Sequence, residues 1–161
     1  MKILANADKQ TALVWLEKVA EIARQATCQQ VRYASAIVAD GQIIGHGFNS
    51  PPGALESQRR CQFQKDHYHQ KVVDKTCCVH AEQRAIIDAL KNFPEKIIGS
   101  QIYTARIDED GRSIKCGLPY CTVCSKMVLD VGIKDFILYQ DAGVCLYDTE
   151  EYNNLSFNYN G

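Results

Sequence analysis

The sequence predicts an α/β protein: a mixed sheet with helices packed against it. Three observations carry the prediction. The elements run in the order helix, hairpin, helix, strand, helix, strand, which calls for helices layered on a sheet. The helix candidates carry a period near 3.6 residues, whereas the strand candidates are short apolar runs. Only Gln140 to Gly143 separate the last two strand candidates, far short of the dozen or so residues a parallel crossover needs, so this final pair must be antiparallel.

Residues 11–26 read as an amphipathic helix. Leu13, Leu16, Val19, Ile22, Ala23 and Ala26 recur at helical spacing, with Glu17, Lys18, Glu21 and Arg24 mostly opposite. The apolar runs 34–39 and 42–47 flank Asp40-Gly41, a dipeptide that favours a tight hairpin turn. Residues 50–78 form a long polar segment that opens with Pro51, Pro52 and Gly53. A loop of that length in a compact domain is usually functional or carries local structure. Residues 81–90 are helical and stop before Pro94; 101–107 form a strand; 121–131 form a helix stopped by Gly132. Strands at 134–139 and 144–147 follow, and Asp148 or Thr149 caps a terminal helix over 150–155.

Composition narrows the function classes. A chain of 161 residues is expected to form one domain spanning 1–161. The formal charge of -1 excludes a global attraction for nucleic acid. No apolar run approaches the ~18 residues of a membrane span, and the first eight residues lack the apolar core of a signal peptide. Eight cysteines would suggest a disulfide framework in a small secreted protein. Without a signal segment, and with a core large enough to need no staples, a reducing cytoplasm is the expectation.

Two of those cysteines belong to the most informative pattern in the chain. His80-Ala81-Glu82 is followed by Pro119-Tyr120-Cys121-Thr122-Val123-Cys124. His80, Cys121 and Cys124 make three soft zinc ligands, and three rather than four leave a position open for water, as in a catalytic site. Glu82 is then free to move protons. Zinc with two thiolates and a neutral imidazole is formally neutral, which weakens it as a Lewis acid. Both ligand groups fall at predicted helix starts, where partial positive charge favours thiolates and partly corrects this. Pro119 suits a chain entering such a helix.

The pattern H-x-E…P-x-C-x-x-C is the signature of zinc nucleobase deaminases, and on these residues the chain resembles the cytidine/deoxycytidylate deaminase superfamily. The resemblance in element order covers roughly residues 11–139. It implies a three-layer α/β/α sandwich with a mixed central sheet and one catalytic Zn2+ on His80, Cys121 and Cys124. It also implies Glu82 as proton carrier and a homo-oligomer, a dimer or larger. Gly45-His46-Gly47-Phe48-Asn49-Ser50-Pro51 resembles the G-x-G-x-N-x-P pattern of deoxycytidylate and tRNA-adenosine deaminases. Substrate contacts are therefore carried to Asn49 and Ala81, with Asn49 as a plain turn residue the alternative.

Three features depart from familiar members. Residues 107–118 intervene before the Pro-x-Cys helix and read as a hairpin, either shaping the pocket mouth or projecting into solvent. Cys61, His67, His69 and Cys77 or Cys78 are candidates for a second, structural zinc. Their spacing matches no standard zinc module, so a second zinc is not expected. The antiparallel final strand resembles the free-nucleoside cytidine deaminases rather than the nucleotide and tRNA enzymes. The leading expectation is hydrolytic deamination of a cytosine-type nucleoside or nucleotide, a small-molecule partner with no membrane role. A purine deaminase acting on guanine, or on adenosine in RNA, is the alternative, and a non-catalytic deaminase-like scaffold ranks below it. Arg59, Arg60 and Lys65 make only a modest basic tract for a nucleic-acid partner.

Overall fold

Asp40 and Gly41 take φ of 50° and 71° and reverse the chain within one tight turn, as their residue types allow. Around this hairpin the computed structural model, which describes residues 1–160, arranges seven strands and four helices. Gly161, the last residue of the expected domain, lies outside the described residues. In chain order the elements are β1 (Lys2–Ile3), α1 (Asn6–Ala23), β2 (Arg32–Ala39), β3 (Gln42–Phe48), α2 (Ala81–Asn92), β4 (Gln101–Ile107), β5 (Ser113–Ile114), α3 (Thr122–Asp130), β6 (Asp135–Gln140), β7 (Gly143–Asp148) and α4 (Thr149–Phe157).

The sheet runs β1-β7-β6-β4-β2-β3, with β5 paired to β4. Only β4 and β6 are parallel, joined through α3; the other pairs, β6 with β7 among them, are antiparallel. The four-residue limit read from the sequence at 140–143 accounts for that last pairing. Strand alternation divides the apolar side chains between two faces. Ala34, Ala36, Tyr103, Ile137 and Val144 meet Leu16, Val19, Ala20 and Ala23 of α1. On the other face Ile37, Ile102, Phe136 and Leu138 meet Ile86 of α2, Val128 of α3 and Tyr152 of α4. The result is the expected three-layer sandwich with a mixed central sheet.

Several boundaries move, for local reasons. α1 stops at Ala23 rather than Ala26 because Arg24, Gln25 and Ala26 donate to the carbonyls three residues back, at 3.2, 3.0 and 3.0 Å. That tighter turn ends the α-helix. Asp148 caps α4, accepting from the Glu150 amide at 2.9 Å. β1 is two residues long and shows no period. Residues 50–78 hold three isolated 3-10 turns, at Pro52–Ala54, Glu56–Gln58 and Lys65–His67.

The contact that places the site is the approach of α2 to β3. A Cβ built on Gly45 would stand 2.5 Å from the Ala85 carbonyl and 2.6 Å from the Ala89 Cβ. One on Gly47 would stand 2.4 Å from the Arg84 Cβ and 2.8 Å from the Ala81 carbonyl. Two glycines facing three alanines thus let a helix backbone lie directly on a strand. Gly45→Ala is expected to destabilise the protein by about 1–3 kcal/mol through overpacking, read from the urea unfolding midpoint. Gly117→Ala, whose Cβ would meet nothing within 4 Å, should leave that midpoint unchanged.

Candidate active site

Two helix N-termini converge on one point above the sheet. His80 occupies the N-cap of α2 and Cys121 the N-cap of α3, with Cys124 in the first turn of α3. The His80 amide donates to Gln83 Oε1 at 3.0 Å. The Gln83 amide in turn reaches Met127 Sδ at 3.7 Å, linking α2 to α3. The Cys124 amide donates to Cys121 Sγ at 3.5 Å.

These contacts set the donor geometry. His80 Nδ1 lies 3.1 Å from Cys124 Sγ and 3.3 Å from Cys121 Sγ, and all three donor atoms fall within 4.8 Å of one another. Donors about 2.0–2.3 Å from one tetrahedral zinc stand about 3.5–3.8 Å apart, so the trio fits that ion with modest adjustment. Cys121 is held low, at about 4, by the Cys124 thiol and, against the effect of burial, by His80. His80 is raised to about 9, mainly by its hydrogen bond to Cys121. A thiolate beside a helix N-terminus is the form a metal needs.

Glu82 stands next to the trio without joining it, its Oε2 3.6 Å from Cys124 Sγ. Burial, the largest cause, pushes its carboxyl above the ordinary range, and the charge on Cys121 adds to this. A carboxyl so raised gives up and retakes a proton closer to neutrality.

A cavity of about 90 Å³ opens beside Glu82, walled by Tyr33, Asn49, Ala81, Thr104, Leu138 and Tyr152. Cys116, Gly117 and Leu118 complete it, so the returning arm of the 107–118 hairpin forms part of the pocket. Asn49 is in the wall, with its side chain committed to the backbone on both ends. Its Oδ1 accepts from the Tyr33 amide and its Nδ2 donates to the Val31 carbonyl, both at 2.9 Å. One amide hydrogen and one lone pair remain for a ligand. Ala81, 1% exposed, presents backbone at the start of α2.

The matching family model, the cytidine and deoxycytidylate deaminase zinc-binding region, spans residues 9–140. The chain belongs to this family. It is accordingly a zinc-dependent deaminase, a hydrolase acting on a C–N bond. Solved structures show the same fold at low identity. Deoxycytidylate deaminase from the cyanophage S-TIM5, in complex with dCMP and dUMP, matches at a TM-score of 0.57 and 20% identity, over 83% of this chain and 82% of that one. Cytidine deaminase from Burkholderia pseudomallei matches at 0.54 and 17%, over 86% and 94%. A diaminohydroxyphosphoribosylaminopyrimidine deaminase/reductase from Thermotoga maritima matches at 0.53 and 16%, over 92% of this chain but 35% of that one. No curated protein sequence shows a significant match.

The structure of this deaminase brings His80, Ala81, Glu82, Asn49, Cys121 and Cys124 together around one cavity. It places His67 and His69 on the surface, outside any candidate metal group among the described residues. Sequence reasoning missed Tyr33, Thr104 and Tyr152, which sit on three separate elements and share no spacing with the motif. Tyr152 stacks on Phe136 with centroids 4.0 Å apart, so α4 closes the back of the pocket. Cys124→Ser is expected to cost the purified protein one equivalent of zinc while leaving its circular dichroism spectrum unchanged. Full retention of zinc would remove Cys124 from the ligand set.

Proposed function

We propose that the enzyme deaminates a cytosine nucleotide, replacing the exocyclic amine at C4 by oxygen and releasing ammonia. The observation that carries this reading is the shape and charge of the space beside Glu82. A cavity of about 90 Å³ is smaller than the roughly 150 Å³ void that takes up a benzene ring. It suits one ring, entered from its open side, better than the fused rings of a purine. Val31, Asn49, His80 and Tyr120 are shared with a second cavity of about 210 Å³, onto which the first opens. Arg60, Lys65 and Lys75 line that groove, and no carboxylate does. A base held beside Glu82 would leave its sugar and phosphate in a positive groove.

Zinc bound by His80, Cys121 and Cys124 would supply Lewis acidity and bring the pKa of water towards neutrality. The rest falls to the chain. Glu82 takes the proton from the attacking water, passes it to the ring nitrogen, and then assists departure of the amine as ammonia. Tyr33 and Thr104 hem the ring in, and the free valences of Asn49 together with the backbone of Ala81 orient it. The groove is too short and too weakly basic to favour a polymeric nucleic acid over a mononucleotide. The exposed Ile87 and Leu90 on α2 support a homo-oligomer, and eight free cysteines support a reducing compartment such as the cytoplasm.

Ammonia release is the test, measured across cytosine, guanine and adenine compounds as base, nucleoside and monophosphate. Release from a cytosine monophosphate is expected, lost by a factor of at least about 10² in Glu82→Gln, as for removal of a general acid-base group. Lys65→Ala with Lys75→Ala should raise KM for the nucleotide and leave that for the nucleoside unchanged. Release from purines alone would overturn the proposal.

A further inference from the structure

Three tyrosines are buried among the described residues, and two of them have their hydroxyls engaged. Tyr103 donates to Gln101 Oε1 at 2.9 Å and Tyr147 to Gln140 Oε1 at 2.6 Å. The hydroxyl of Tyr152, a residue 7% exposed, has no hydrogen-bond partner among the described residues. The side-chain atoms there that are both sealed off and unpartnered are the Nε atoms of Arg84 and Arg106. The Tyr152 oxygen is therefore not sealed, and it opens onto the cavity that its residue lines with Glu82. A buried hydroxyl left without a partner is costly and calls for an explanation.

The ring cannot turn away to find one. Phe136 stacks on it with planes 4° apart, and Tyr147 meets it edge-on, with centroids 5.5 Å apart at 81°. Ser125 Oγ donates to Asn153 Oδ1 at 2.9 Å, which ties α4 to α3 beside the metal donors. Position then says what the oxygen meets. Val31, Asn49, His80 and Tyr120 are shared between the inner cavity and the basic groove, whereas Tyr152 and Leu138 line the inner cavity alone and close its far end. In a cytosine nucleotide the sugar hangs on N1, and C4 stands directly across the ring from it. With the sugar in the groove, C4 and its amine point to the far end. The other side chains there have little to offer an amine. Thr104 Oγ1 is engaged with Ser35 Oγ at 2.7 Å, Cys116 Sγ faces the Thr104 carbonyl at 3.7 Å, and Leu138 is apolar.

We infer that Tyr152 is a catalytic residue whose hydroxyl oxygen accepts a hydrogen bond from the exocyclic amine and holds that nitrogen as it leaves. The inference rests on the cytosine-nucleotide reading above. Glu82 serves the ring-nitrogen side of C4 and Tyr152 the opposite side. Glu82 delivers the proton to the amine, the C4–N bond breaks with its electron pair on nitrogen, C4 keeps the incoming oxygen, and ammonia departs. Tyr152 exchanges no proton in this step. Its hydrogen bond strengthens as the nitrogen gains positive charge, and an interaction that grows towards the transition state raises kcat rather than affinity. The residue comes from α4, past the end of the matched family region at residue 140.

Tyr152→Phe keeps the ring and its stack on Phe136 and removes a single oxygen. On dCMP it is expected to lower kcat at least about tenfold with KM held within about twofold, the signature of one hydrogen bond made to a group gaining charge. The companion substrate is the analogue of dCMP with chlorine in place of the amine, whose chloride leaves with no hydrogen to donate. On that compound wild type and variant should agree within about twofold once the uncatalysed rate is subtracted. The ratio of the two substrates is internal to each preparation, so a smaller folded fraction in the variant does not move it. Equal losses on both compounds, or no loss on dCMP, would overturn the assignment and leave Tyr152 as packing. Wild-type protein inert towards both compounds would overturn the cytosine-nucleotide reading, and the role of Tyr152 with it.

Discussion

Everything at the active site depends on how closely α2 lies on β3. The helix brings three features of the candidate site to one place, namely the His80 donor at its cap, the Glu82 carboxyl in its first turn and the Ala81 backbone between them. Had Gly45 or Gly47 carried a side chain, the helix would ride higher and His80 Nδ1 would leave the reach of the α3 sulfurs. The alanines at 81, 85 and 89 are the other half of the same contact, each fully or nearly fully buried. Gln83 then ties the two helices to each other, so the metal donors are positioned by backbone packing rather than by long side chains. That is how a site gains the precision that catalytic zinc demands.

The sequence disclosed the chemistry more fully than the pocket. His80, Glu82, Cys121 and Cys124 were legible because zinc chemistry fixes both residue type and local spacing, and because helix starts favour those residues at those places. The mixed sheet and its antiparallel final pair followed from element order and from one short connection. Tyr33, Thr104, Leu138 and Tyr152 were illegible because a pocket wall collects single residues from distant elements, each of which also reads as ordinary core. Gly45 and Gly47 were visible as part of a motif, but their steric purpose was not, since it exists only once the helix is laid on the strand.

Asn49 supports the wall of the pocket with a single side chain. By bonding the Tyr33 amide and the Val31 carbonyl it holds the start of β2 against the end of β3, and so fixes the mouth of the pocket. Its remaining hydrogen and lone pair are all that the scaffold leaves unspent. Loss of this amide therefore removes the bonds that frame that wall.

Tyr120 marks the join between two inheritances. It stands between Pro119 and Cys121, borders both the inner cavity and the basic groove, and meets the Tyr159 ring at a tilt of 49°, with centroids 5.7 Å apart. On one side lie the two helix starts, which carry the candidate metal donors His80, Cys121 and Cys124. On the other lie the 52–77 segment and the 107–118 hairpin, which contribute to the walls of the groove and of the inner cavity. Candidate donors and cavity walls are thus drawn from separable stretches of chain, so the walls can change length by insertion or deletion while the helix starts keep their place.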